Sequence, residues 1–264
     1  MNNNNDFITI GTDFEVPLVR NGVPISAIGI IGGTKDDPIP IGEGCSKQED
    51  SVMAEFCIPP ATNFEDFASS IDYCLNKGNE IASEYGAEIA IKSSFKYSDE
   101  ELNNPEAWEI GCGESLCPYT QQVSERPKSF ETNLRTAGFH IHIGWSEIQG
   151  RNRIGKVENL MKLMDKFVGV PSLLMDDDDI RRELYGNPGD FRLKKYGAEY
   201  RALGAGVITL EGLSQIWENT FKAIDEYKKG NFVTDDTYRD IIRNNDKKAA
   251  SIFVSLREFK EAGV

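Results

Sequence analysis

Gly138-Phe139-His140-Ile141-His142-Ile143-Gly144 alternates apolar and polar residues at a period of two, the pattern of a half-buried β-strand. Successive strand side chains point to opposite faces, so Phe139, Ile141 and Ile143 share one face while His140 and His142 stand side by side on the other. The apolar face calls for a layer of helices behind it. The imidazole face stays available for chemistry, and it carries both histidines of the chain.

The same spacing recurs at Gly11-Thr12-Asp13-Phe14-Glu15, where two carboxylates share a face, and at Gly197-Ala198-Glu199-Tyr200-Arg201, which pairs a carboxylate with a guanidinium. Met53-Ala54-Glu55-Phe56-Cys57 sets a single acid in an apolar strand, where only a paired or metal-bound charge is cheap. Strands that each offer an inward acid or imidazole make a mixed oxygen and nitrogen site for a hard divalent ion, Mg²⁺ or Mn²⁺, and such sites commonly hold phosphates. Arginine forks at Arg181, Arg182, Arg192 and Arg201 match phosphate oxygens and can neutralise charge that grows on a moving phosphoryl group. Lys35 follows the Gly32-Gly33 turn, where backbone N–H groups can meet an anion, although the spacing is not that of a Walker A loop.

Around these stretches the chain reads as one α+β domain of residues 1–264, an antiparallel sheet backed by helices with a helical C-terminal part from about 207. Runs 7–14, 25–31, 39–41 and 51–58, separated by Asn-Gly, Gly-Gly and Pro punctuation, predict an antiparallel meander. Thr62 and Glu65 form a capping-box pattern ahead of Phe64, Phe67, Ile71, Leu75 and Ile81 at helical spacing. Residues 88–95 and 137–145 read as strands, and 154–167, 210–224, 237–243 and 248–259 as helices. Residues 97–135 are polar and aperiodic, long enough for a functional segment such as a lid. The acid run 176–179 reads as a solvated helix start, and Trp108, Trp145 and Trp217 as core.

The 264 residues carry 43 Asp and Glu against 29 Lys and Arg, a net charge of −14. That balance disfavours general nucleic-acid or membrane-surface binding, and 39% hydrophobic residues are enough for a packed core rather than disorder. Five cysteines without CxxC spacing suggest neither a disulfide framework nor a zinc ribbon, and Cys112 and Cys117 read as ordinary thiols. With no signal-peptide pattern and no apolar run of membrane length, the expectation is a cytoplasmic protein.

The set Gly-Thr-Asp-Phe-Glu, Gly-Gly-Thr-Lys, Ala-Glu-Phe-x-x-Pro-Pro, Gly-Phe-His-Ile-His-Ile-Gly and Lys-Tyr-Gly-Ala-Glu-Tyr-Arg resembles the phage-encoded carboxylate-amine ligases of type 2, amidoligases related to glutamine synthetase and glutamate-cysteine ligase. The resemblance runs from about residue 8 to about residue 205. It implies a glutamine-synthetase-like sheet that binds ATP with two or more Mg²⁺ or Mn²⁺ ions, and small-molecule or peptide carboxylate and amine substrates. On it, Glu15 and Glu55 go to one metal, with Glu114 a candidate third ligand or base. Asp13, His140 and Glu199 go to the other, His142 faces the ATP phosphates, and Arg201 with one or more of Arg181, Arg182 and Arg192 neutralises the moving phosphoryl group. The first acid is Asp13 where glutamine synthetase has Glu, which shortens its reach.

Each motif alone has a plainer reading: a strand His-x-His as a core histidine with an exposed neighbour, Asp13 and Glu15 as solvated sheet residues, Glu199 and Arg201 as an ion pair, Glu55 as an edge charge. Two other functions suit the same residues. One is a metal-dependent hydrolase in which His140, His142 and a carboxylate hold Zn²⁺ without ATP. The other is a non-catalytic phage binding protein that retains the fold.

Overall fold

The computed structural model describes residues 7–108, 114–124 and 132–262. The strands are β1 (Ile8–Val16), β2 (Leu18–Arg20), β3 (Val23–Ile25), β4 (Ile39–Gly42), β5 (Cys45–Asp50), β6 (Met53–Cys57), β7 (Glu88–Ile89), β8 (Ser94–Lys96), β9 (Leu116–Cys117), β10 (Gln122–Val123), β11 (Leu134–Thr136), β12 (Gly138–Trp145), β13 (Phe191–Lys194) and β14 (Gly197–Gly204). The helices are α1 (Phe64–Glu84), α2 (Ile154–Met164), α3 (Val170–Ser172), α4 (Leu210–Lys228), α5 (Thr237–Arg243) and α6 (Lys247–Glu261), with a π turn over Asp165–Gly169. The chain is an α+β protein with a large antiparallel sheet and C-terminal helices.

Among the described residues nine strands form that sheet, in the order β10-β9-β13-β14-β12-β1-β6-β5-β4. Period-two alternation puts Ile10, Phe14, Phe56, Phe139, Ile141, Ile143, Ala198 and Tyr200 into the core. Phe14 at the centre lies 5.6 Å from the Phe56 ring and 6.3 Å from the Phe139 ring, an aromatic row across three neighbouring strands. α2 and α4 pack together behind it, with α1 against α4. A smaller apolar cluster of Val170, Leu173, Ile242 and Ala250 ties α3, α5 and α6 together.

Several sequence expectations shift in detail. The cap of α1 is Asn63, whose side chain accepts a hydrogen bond from Asp66 N, not Thr62. Residues 25–31 are not a strand beyond Ile25: the chain turns, with Ile30 and Ile31 N–H groups donating to Ala27 O, and the isoleucines pack onto the core from the turn. The run 88–95 splits between two small sheets, β3-β2-β7 and β11-β8. Trp108 is 37% exposed, with the Arg135 guanidinium 4.6 Å above its ring, whereas Trp145 is core. No described helix is long and apolar enough to cross a membrane.

Residues 97–108, 114–124 and 132–135 are built into the body rather than laid over it. Tyr97, Leu102 and Ala107 are buried, and β9 pairs with β13 in the main sheet. Tyr119 donates to Asp165 and Ser124 to Asp190. Cys112, and the rest of the expected lid at 109–113 and 125–131, lie outside the described residues.

Candidate active site

Register assembles the polar face. Asp13 sits opposite His140 on one side and Cys57 on the other, Glu15 opposite Glu55, and Glu55 opposite Gln48. His142 sits opposite Glu199, which sits opposite Arg192. Between β12 and β14 the register slips at Phe139/Ile141, a bulge that sets Arg201 and Ala202 against His140. Four strands separated by up to about 180 residues of chain thus bring their acids, imidazoles and guanidinium together, as the two-residue spacings predict.

His140 Nδ1 lies 2.6 Å from Asp13 Oδ1, and His142 Nε2 lies 3.2 Å from Asp13 Oδ2 and 4.0 Å from Glu199 Oε2. Ligand atoms of Asp13, His142 and Glu199 all fall within 4.8 Å of one another, the one such group of His, Cys, Asp and Glu among the described residues. Burial would raise the Asp13 carboxyl, but His140 and His142 hold it well below the usual range. Burial and Asp13 would likewise raise Glu199, and Arg201 with the two histidines outweigh them, holding it at about 2. Burial and Arg201 push the His140 imidazole down to about 4, against Asp13. A neutral His140 beside an ionised Asp13 must donate from Nδ1, which leaves Nε2 as a lone pair.

His140 Nε2, His142 Nε2 and Glu199 Oε2 are buried without a hydrogen-bond partner. The convergent carboxylate and imidazole atoms of Asp13, His142 and Glu199 make a donor set that fits a divalent cation. The convergent group includes His142, the histidine expected at the phosphates, whereas His140 spends Nδ1 on Asp13 and turns Nε2 toward Gly138.

Beside it lies a second acidic set. Burial first, then Asp50, pushes the Glu15 carboxyl up to about 8, although Gly138 N–H donates to Glu15 Oε2 at 2.7 Å. Burial, Asp13, Asp50 and Glu15 push Glu55 well up, with Gln48 donating to it. Asp50 is itself raised by burial, against Lys35 and Arg201. Carboxylates that resist ionisation together are short of positive charge. Asp50, at the turn between β5 and β6, is the acid that the sequence reading missed. Glu114, read as a ligand or base, is exposed at the rim, where its carbonyl accepts from Arg192 Nε at 3.3 Å.

The cations divide. Arg201 is fully buried, pairs with Glu199 through Nη1 and donates from Nε and Nη2 to the Tyr185 hydroxyl. Arg192 Nη1 is 3.8 Å from Glu199 Oε1, and Lys194 Nζ, also missed in the sequence, is 2.6 Å from Glu199 Oε2. Lys35 sits exposed on the 32–35 loop, whose Gly32 N–H is held by Glu49, and its charge acts on Asp50. Arg181 and Arg182 are corrections. Arg181 is 1% exposed and spends its guanidinium on the carbonyls of Ala137, Ala202 and Leu203, tying the ends of β12 and β14 together. Arg182 donates to Gly186 O, and its charge acts on Tyr200 and Asp165, on the helix side of the sheet. Arginines next to an acid run look alike in sequence whether they meet a ligand or backbone carbonyls.

Residues 110–226 match the family model described as Phage phiEco32-like COOH.NH2 ligase-type 2. Over that segment the chain is similar to this family. The segment holds His140, His142, Arg192, Lys194, Glu199 and Arg201, while Asp13, Glu15, Asp50 and Glu55 precede it. Among solved structures, ligand-free GmaS is similar with a TM-score of 0.43 at 10% identity, over 98% of this chain and 69% of that one. A GmaS/ADP complex is similar with a TM-score of 0.40 at 10% identity, over 98% and 70%. Both likenesses are distant. No curated protein sequence matches.

Proposed function

We propose that the chain is an ATP-dependent carboxylate-amine ligase that activates its acid as an acyl phosphate. The observation that carries this reading is the convergence of Asp13, His142 and Glu199 within 4.8 Å on a sheet face that also holds Glu15, Glu55, Arg192, Arg201 and Lys194. The family named ligase for residues 110–226 supports the reaction class.

Asp13, His142 and Glu199 would hold one divalent ion, and Glu15, Glu55 and Asp50 the neighbourhood of a second. Bound Mg²⁺ would supply charge neutralisation of the ATP phosphates. The γ-phosphoryl group passes from ATP to a carboxylate oxygen of the substrate and ADP leaves. Arg201, fixed by Glu199 and Tyr185, presents a preorganised guanidinium to the charge that develops, with Arg192 beside it. The amine then attacks the activated carbonyl carbon, phosphate departs, and the amine proton goes to a carboxylate at the rim, for which Glu114 is the candidate. Glu15 and Glu199 are buried, and an acyl phosphate formed beside them would be shielded from hydrolysis.

Mg²⁺-dependent release of ADP from ATP in the presence of pooled carboxylic acids tests the reading. Release should require both an acid and Mg²⁺, and should fall about 100-fold or more in Arg201→Ala, the scale on which a lost transition-state charge partner acts. Acid-independent turnover, or none with any acid, would remove the ligase assignment.

A further inference from the structure

We infer that Lys194 is a built-in counter-ion that competes with a divalent cation for Glu199, so that ion entry at Asp13, His142 and Glu199 drives the lysine ammonium off the carboxylate. The inference deepens the proposed function and rests on its reading of this patch as an ion site.

Of the three cations near Glu199, Arg192 stands off at 3.8 Å, and the two in contact, Arg201 and Lys194, differ in what they can do. Arg201 is 1% exposed, faces Oε1 and is held from its other side by the Tyr185 hydroxyl. It has no route out. Lys194 approaches Oε2 at 2.6 Å from the last residue of β13, with its side chain 31% exposed. Its backbone is fixed, since Lys194 O accepts from Arg153 Nη1 at 2.6 Å, but four flexible methylenes can swing the ammonium into water. Glu199 cannot follow, being wholly buried.

Oε2 is also the oxygen that faces His142 Nε2, at 4.0 Å, and so belongs to the side of Glu199 where the ion group converges. Despite its closeness, the ammonium makes no aligned hydrogen bond there: Oε2 is without a hydrogen-bond partner. The contact is one of charge, and a divalent ion at the same oxygen would repel it. Arg201 already covers Oε1, so what the lysine supplies is charge at Oε2, a buried oxygen that would be costly to leave uncompensated when the ion is absent. Placing a short, mobile cation there rather than a second locked arginine makes the protection reversible.

Binding of Mn²⁺ to the full chain, read by electron paramagnetic resonance without nucleotide, acid or amine, tests this separately from ligase activity. Lys194→Met should bind Mn²⁺ about tenfold more tightly than the wild type, and Lys194→Arg should not tighten. Lys222→Gln changes net charge equally at an exposed pair with Glu261 and should leave the affinity unchanged. Equal or weaker binding by Lys194→Met, equal tightening by Lys222→Gln, or no binding by any form would overturn the inference. In the wild-type chain, which needs no variant to fold, Mg²⁺ should raise acetylation of Lys194 several-fold by peptide mass spectrometry with Lys222 unaffected. Unchanged Lys194 reactivity would equally overturn it.

Discussion

Glu15 and Asp13 are two residues apart on one strand face, yet their surroundings push their protonation in opposite directions. Asp13 is ionised between two imidazoles, whereas Glu15 meets buried carboxylates and one backbone N–H. For Glu15 the folded value of about 8 lies above the ordinary 4.5, so between those values the folded chain binds more protons than the unfolded one. Its contribution to stability therefore falls as pH rises through that window. Thermal melts of the ion-free protein should show this loss in the wild type, and Glu15→Gln should flatten it. Mg²⁺ should offset it most at the alkaline end, where the ion no longer has to displace a proton. A Glu15→Gln curve that runs parallel to the wild type across the window would contradict the assignment.

Strand alternation made β1, β12 and β14 legible, because each has a continuous apolar face to bury and a polar face to leave. β5 gave no such signal: after Cys45 it reads Ser-Lys-Gln-Glu-Asp, and its pairing partner β6 rather than its own pattern makes it a strand. Asp50 was hidden with it. β13 is four residues long, too short for a period to register, and Lys194 was hidden there. The opposite error arose at Arg181, where the chemistry is that of a ligand and the role is to tie two strands. At Gly138 an added Cβ would stand 2.7 Å from His140 Nε2, and the imidazole cannot give way without leaving Asp13. Gly138→Ala should cost about 1–3 kcal/mol in chemical denaturation and weaken Mn²⁺ binding. Gly155→Ala, in α2 with open space around it, should be neutral or stabilising by about 1 kcal/mol. Equal effects of the two would remove the steric argument.

Across the molecule, the face that holds the acids is built by helices on the far side. Asp165, wholly buried in the π turn, accepts from Tyr119 OH and Tyr200 OH at 2.7 Å and from Gly189 N at 2.8 Å. It thereby clamps the β9–β10 segment, β14 and the loop leading to β13 to one point behind the site. Such convergence of distant segments has no sequence signature, since Asp165 falls in an ordinary amphipathic helix pattern. Net acidity likewise takes a narrower meaning, because part of the −14 is charge gathered on one sheet face beside Arg192, Lys194 and Arg201. The central claim is that this face phosphorylates a carboxylate, and hydroxylamine trapping tests it most directly. Incubated with ATP, Mg²⁺, hydroxylamine and pooled carboxylic acids, the wild type should form a hydroxamate with at least one acid, and Glu15→Gln should form none. Absence of hydroxamate with every acid while ATP is still consumed, or undiminished hydroxamate in Glu15→Gln, would contradict the account.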